Sequence, residues 1–359
     1  MMMTALWATA ISVGIYLVVG SINDVYRARR ERQRAAALDA LSESAFLDHD
    51  SAGEVLRNLR GIPPKVIWDL ALTLPMHFED AMSKRIVAII GSTSVRRRVE
   101  RLSNSPFWFR RVRAARLAHV LPKDASGIVA RLLDDGSTSV QAATIESFGS
   151  DQIADHAAKL LELMSDQNQS VRFTAQQALL RGDGRIAEPL RLWLTNADQE
   201  FAHYGLEVAA YLDDPRLVHV ISTFAEAEDP LLRRLVARAT PVGSIPADLG
   251  FFRALFDDED PIVRATVIES TTRIDADWLL PRVARALTDR AWKVRRAAGL
   301  ALAQSGALGE MFLREALDSE DPFAADMARN FLELIGRMEE IESLRVGADV
   351  DSLVAWAHR

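Results

Sequence analysis

The 359-residue sequence contains no cysteine. That excludes disulfides, thiolate metal sites, iron–sulfur clusters and thiol catalysis, and leaves the compartment open. It also lacks an excess of positive charge: 43 Lys and Arg stand against 50 Asp and Glu, a formal charge of −7, which argues against general nucleic-acid binding. No GxGxxG, GxxxxGK[ST] or GxSxG is present, so dinucleotide, P-loop and hydrolase sites lack their phosphate cradles or nucleophile turn. The seven histidines include no HxxxH or HExxH pair, and none is followed by glutamate. No metal, cofactor or catalytic residue is expected, and the many carboxylates read as helix caps.

Long apolar runs are absent too, with one exception. Ala5–Ile22 carries no charged side chain, and eighteen residues at about 1.5 Å each cover ~27 Å, close to a hydrocarbon core of about 30 Å. Trp7 and Tyr26 bracket it, and Arg27, Arg29, Arg30, Arg32 and Arg34 follow. Aromatic rings favour the headgroup layer and arginine clusters stay on the cytoplasmic side. The expectation is a single-pass inner (plasma) membrane anchor over 1–23, N-terminus outside, with the bulk of the chain in the cytoplasm. A cleaved secretory signal is the competing reading, but Met1–Thr4 offers no positive n-region. Ala10 and Gly14 form a small-xxx-small pair through which two spans can pack, making a homo-oligomer a candidate.

Residues 24–63 read as a basic juxtamembrane helix and linker ending at Gly61-Ile62-Pro63-Pro64. Beyond them one pattern recurs: an acidic residue, often Pro, an apolar anchor, often Arg, then apolar residues at +3, +7 and +8. The anchors are Val112, Val140, Val171, Phe201, Leu232, Val263, Val294 and Ala324, at intervals of 28, 31, 30, 31, 31, 31 and 30. Each unit carries a second apolar-periodic stretch before its anchor, such as IADHAAKLLELM from Ile153. Two helices of about 11 residues and two tight turns fill 31 residues. Asp229-Pro230, Asp260-Pro261 and Asp321-Pro322 place an acceptor at the N-cap and proline at the first helical position. The predicted fold is therefore all-α: an α-solenoid of about eight or nine two-helix repeats over 64–336, preceded by one transmembrane helix and followed by a capping helix or tail over 337–359. No single hairpin can bury its own apolar face, so neighbours must stack.

The segments Asp166–Leu179 (DxxxxVRxxAxxAL), Asp260–Arg264 (DPxVR) and Asp289–Leu302 (DxxxxVRRAAxLAL) resemble the HEAT repeat in its short bacterial form, related to phycobilisome-lyase-type repeats. The resemblance covers about three-quarters of the chain and lapses at Phe201-Ala202 and Ala324-Ala325, where the arginine is missing. It implies an extended protein-binding surface. Recurrent Arg172, Arg233, Arg264 and Arg295, each following acidic residues, are expected to form an internal ladder between stacked units.

One charge feature stands apart. Arg96, Arg97, Arg98, Arg101, Arg110, Arg111, Arg113, Arg116 and Lys123 face only Glu100, with Phe107-Trp108-Phe109 in their midst. Residues 1–123 hold 19 basic and 11 acidic side chains, leaving −15 for the remainder. Aromatic runs at helical spacing are usually core, which would bury Phe107–Phe109 and leave the arginines as ladder or solvated residues. The functional alternative is a patch that touches anionic lipid headgroups or an acidic face of a membrane partner. The leading functional expectation is a non-enzymatic, membrane-anchored scaffold for a protein partner, an assembly or regulatory subunit of an inner-membrane complex such as envelope glycosyltransferase or transporter machinery. The alternatives are a HEAT-like DNA glycosylase or bilin lyase, or a periplasmic scaffold if the topology is inverted. The distal negative charge and the anchor oppose the glycosylase, so no nucleic-acid partner is expected.

Overall fold

A computed structural model describes residues 28–29, 31–33, 35–36, 63–73, 94–121, 125–243, 249–274 and 276–347. The apolar stretch 5–22, Trp7, Tyr26, Arg27, Arg30, Arg34 and Lys123 lie outside them. Arg29 and Arg32 sit exposed on short helical stretches. Among the described residues no helix is long and apolar enough to cross a membrane, and no strand occurs.

The helices fall into two compact units, Met1–His156 with Asp166–Arg181, and Ala157–Ser165 with Gly182–Arg359. The first contains α1 (Pro64–Thr73), α2 (Ser94–Ser103), α3 (Trp108–Ala115), α4 (Ser126–Leu133), α5 (Thr138–Glu146) and α6 (Ser150–Asp155). The second takes α7 (Ala157–Leu163), and α8 (Gln169–Leu179) returns to the first. The rest of the second unit is α9 (Ala187–Asn196), α10 (Gln199–Leu212), α11 (Val218–Ser222), α12 (Pro230–Ala239), α13 (Gly250–Phe256), α14 (Pro261–Arg273), α15 (Leu280–Arg285), α16 (Trp292–Gln304), α17 (Gly306–Ala316) and α18 (Pro322–Gly347).

Each unit is a stack of helical hairpins, the α-solenoid arrangement. In the first unit α3, α5 and α8 pack side by side; in the second, α10, α12, α14, α16 and α18 do. These eight second helices begin at Trp108, Thr138, Gln169, Gln199, Pro230, Pro261, Trp292 and Pro322, so the repeat runs at intervals of 30 or 31. The anchors Val140, Val171, Leu232, Val263, Val294 and Ala324 are all buried at the third helical position. Burying each large apolar anchor contributes about 1.5–3 kcal/mol. Val112 does not belong to this series. Because α3 starts at Trp108, the third and fourth positions are Arg110 and Arg111, and the short first interval of 28 is an artefact of that mis-registration. Phe201 is half-buried, with fully buried Ala202 beside it.

The first helices are shorter than 11 residues in several repeats. The 3-10 turns Gly184–Ile186, Pro215–Leu217 and Asp277–Leu279 lead into α9, α11 and α15. At the first two, Asp183 and Asp214 accept from the backbone N–H of Arg185 and Arg216, a local side-chain bond that competes with a regular first helical turn. The proline caps form as expected: Asp229, Asp260 and Asp321 accept from the N–H of Leu231, Ile262 and Phe323 at 2.8, 2.6 and 2.9 Å. At the other end, α18 runs from Pro322 through Gly336 to Gly347.

The arginine ladder is present, with a different partner from the nearby acids. At the fourth position of its helix, each arginine turns Nη1 back onto its own preceding loop. Arg233 donates to the carbonyls of Ala227 and Glu228, and Arg264 to those of Asp258 and Glu259. The other edge of the guanidinium grips an aspartate 24 or 25 residues ahead. Arg111 donates to both Asp135 oxygens at 2.6 and 2.8 Å, Arg233 to Asp258 at 2.7 and 2.9 Å, and Arg264 to Asp289 at 2.8 Å twice. Those aspartates also accept from their own loop, through the N–H of Ser137, Asp260 and Ala291. Each rung thus ties two successive loops with a planar fork that lysine does not have. Arg172 and Arg295 keep the loop contacts, but the residues 25 positions on are Ala197 and Glu320. Arg295 instead lies over the Phe323 ring, 4.9 Å from its centroid.

Candidate functional site

The basic segment is built on α2 and α3. Along α2, Val95 and Val99 are buried one turn apart, which turns Arg97, Arg98 and Arg101 outward and leaves Arg96 half-buried. Arg98 stacks over buried Trp68 of α1, 4.5 Å from its centroid. Arg96 and Glu100 line an open cleft of about 470 Å³ with Ala125, Gly127, Ile128 and Arg131.

In α3 the inward face is Arg111, Ala114 and Ala115, at i, i+3 and i+4. Two alanines allow close helix approach, and Arg111 is held by Asp135. The first turn therefore projects into solvent. Phe107, Trp108 and Phe109 are 50, 54 and 50% exposed, against the usual expectation that such a run is core. Their rings touch one another, Phe107 and Phe109 at 5.6 Å between centroids and Trp108 edge-on to Phe109 at 6.3 Å. Arg110 lies 5.1 Å from the Phe107 centroid. Arg110 and Arg113 are exposed, as is Arg116.

The structure separates Arg111 from the patch it shares in sequence. Its bidentate bond to Asp135 raises its pKa, with burial opposing, and the pair is a structural rung. Arg97, Arg98, Arg101, Arg110, Arg113 and Arg116 make no ion pair among the described residues. The arrangement is an edge of three half-exposed aromatic rings with exposed guanidinium groups around it.

The exposure had a signal in the sequence. Aligned on Arg111 as a ladder arginine, Phe107, Trp108 and Phe109 take the cap, first and second positions of the repeat. Exposed Ile262, Trp292 and Phe323 occupy the corresponding first-turn positions in the second unit.

No protein-family model and no curated protein matches the sequence. Solved structures do match. An engineered protein is 18% identical over 86% of this chain and 96% of its own, with a TM-score of 0.38. The protein Kap121p is 12% identical over 84% of this chain and 43% of its own, with a TM-score of 0.48. The karyopherin Kap121p bound to the SUMO protease Ulp1p is 12% identical over 90% and 47%, with a TM-score of 0.43. The chain spans less than half the length of the karyopherin chains it matches.

Proposed function

We propose that this protein is a non-enzymatic docking scaffold held at a membrane, whose helical-repeat surface binds a protein partner. The observation that carries the membrane part is the edge at Phe107–Phe109. Half-exposed aromatics favour a headgroup layer, and each near-surface arginine contributes about 1 kcal/mol against anionic lipid. The apolar stretch 5–22 followed by five arginines supports an anchor in the same sense, with the repeats on the cytoplasmic side. Repeat stacks offer extended binding surfaces. An assembly or regulatory role within a membrane complex follows from tethering that surface in the plane of the bilayer.

Vesicle binding of the full chain with Trp108 as its sole tryptophan, otherwise native or with Phe107→Ser/Arg97→Glu/Arg101→Glu, tests the edge. The anchor itself would hold both proteins on any bilayer, so the readout is shielding of Trp108 from an aqueous quencher on anionic against neutral vesicles. Shielding only on anionic lipid supports the reading; equal quenching on both removes it. Reporter fusions after Arg359 test orientation separately. Fluorescence of a green fluorescent protein fusion without phosphatase activity of the corresponding fusion supports the cytoplasmic placement, and the reverse pattern overturns it.

A further inference from the structure

The last helix of the second unit is about twice as long as the helices it stacks with. α18 has 26 residues, while α10, α12, α14 and α16 have 14, 10, 13 and 13. Its start is level with theirs. Ala324 is buried at the usual anchor position, and Met327 and Phe331 close over Gly299, midway along α16, where an added Cβ would meet both side chains. The surplus over α16, ~20 Å at about 1.5 Å per residue, therefore lies at the far end of α18.

The stripe that docks on α16 does not stop where α16 does. Met327, Phe331, Leu334 and Met338 follow one another at steps of four, three and four, and in the sequence Ile341 adds a further three. That alternation is the seam of a two-helix coiled coil, with Phe331 and Met338 at a and Met327, Leu334 and Ile341 at d. Met327 and Phe331 are half-buried, whereas Leu334 and Met338 are 41 and 63% exposed. One face thus meets α16 over the first half of α18 and solvent over the second. Gly336, at the f position opposite the seam, is exposed, and nothing lies within 4 Å of where its Cβ would be.

The flanking charges select the occupant. Arg337 precedes Met338, at the g position, and is exposed; Glu342 follows Ile341, at the e position, five residues on. In a parallel, in-register pair of identical helices, g of one chain faces the e position five residues further along the other. Arg337 and Glu342 then meet twice, with opposite sign. An antiparallel pair over the same residues sets g against g and brings Arg337 against its own copy. We propose that the far half of α18 pairs with the same segment of a second copy of this chain, parallel and in register about a two-fold axis. The layers Leu334, Met338 and Ile341 make a small contact, so the pairing is weak and reversible. It goes beyond the scaffold reading and needs neither the apolar stretch 5–22 nor a different partner protein.

Disulfide trapping in the full chain tests it, and the lack of any native cysteine makes each introduced thiol report on its own position. In-register pairing sets Leu334 beside its own copy. Oxidation with copper-phenanthroline should therefore link Leu334→Cys into a dimer at least about tenfold more than Gly336→Cys, whose position lies opposite the seam. Arg337→Glu should lower the Leu334→Cys yield about fivefold, since two attractions become two repulsions. Arg337→Glu/Glu342→Arg should restore it, a rescue that no role of Arg337 within one chain predicts. Equal trapping at both positions, or none at Leu334→Cys, overturns the proposal. So does a charge swap that fails to restore the yield. A dimer that forms only when Ile341→Cys accompanies Leu334→Cys overturns it in favour of an antiparallel pair. Trapping that appears only in a chain ended after Gly347 also overturns it, assigning the stripe to residues 348–359 of the same chain.

Discussion

Arg264 and Asp289, twenty-five residues apart, meet through two hydrogen bonds of 2.8 Å, and each also ties down a loop. The Arg264 guanidinium holds the carbonyls of Asp258 and Glu259, while the Asp289 carboxylate accepts from the N–H of Ala291. Both side chains are largely buried. Removing one partner strands the other charge, so Arg264→Met or Asp289→Ala should each destabilise the second unit by about 3–5 kcal/mol. The double variant should cost clearly less than the sum of the two, because no lone charge remains. Urea unfolding followed by hydrogen exchange in α14 and α16 measures this. Simple additivity would mean that the pair is not coupled.

The rungs also set a pH dependence. Burial pushes the carboxyls of Asp135, Asp258 and Asp289 up, but the arginine fork and the loop N–H bring each net below its ordinary value. A carboxylate with a depressed folded-state pKa binds fewer protons folded than unfolded, so its contribution is complete above the unfolded value of about 4 and disappears as the pH falls through the folded value. Stability should therefore be insensitive to these groups between pH 5 and 8, to round figures, and decline in acid below about pH 4. Asp258→Asn/Asp289→Asn should flatten that acid limb while lowering the neutral plateau. An acid limb of unchanged steepness in urea titrations would assign it to other carboxylates.

Much of this architecture was readable before any coordinate. The 31-residue period, the Asp-Pro caps and the ladder positions of Arg233 and Arg264 follow from spacing alone, because each repeat must present the same buried face to its neighbour. What spacing does not give is which acid completes a rung. Asp260 lies four residues before Arg264 and is occupied as an N-cap, so the fork reaches ahead to Asp289. The exposure of Phe107–Phe109 was hidden for a related reason. Val112 looks like an anchor because it is apolar, whereas the slot it should mark is occupied by Arg110. With Arg111 as the ladder residue, the aromatics fall in the first, outward turn.

The gap in the ladder is itself informative. At the fourth position of α10 stands fully buried Ala202 in place of arginine, and twenty-five residues on stands buried Ala227 in place of aspartate. Here both halves of the rung are missing together, whereas at Arg172 and Arg295 only the aspartate is replaced. Ala202→Arg alone should cost about 3 kcal/mol or more as an unpaired buried charge. Adding Ala227→Asp should recover at least ~1 kcal/mol, within the range of contact coupling. Denaturation midpoints of the two single variants and the double variant give the coupling directly. A double variant less stable than either single would show that backbone spacing at this repeat cannot accept a rung.

Two glycines at the start of α17 separate conformational from steric cost. Gly306 has φ +61, and nothing lies within 4 Å of the place a Cβ would take. Gly306→Ala should therefore cost only the left-handed backbone penalty, about 1–2 kcal/mol. Gly309 has no such φ, but a Cβ there would sit 1.9 Å from the Leu302 carbonyl oxygen and 2.8 Å from its carbon. Those are backbone atoms at the end of α16 and cannot rotate away, so α17 would have to move off α16 and uncover Leu313, which is fully buried. Gly309→Ala should reach or exceed the upper end of the overpacking range of about 1–3 kcal/mol, and protection from hydrogen exchange should drop in α17 before α14. A Gly309→Ala variant as stable as Gly306→Ala would show that the close approach of the two helices is not what fixes this corner.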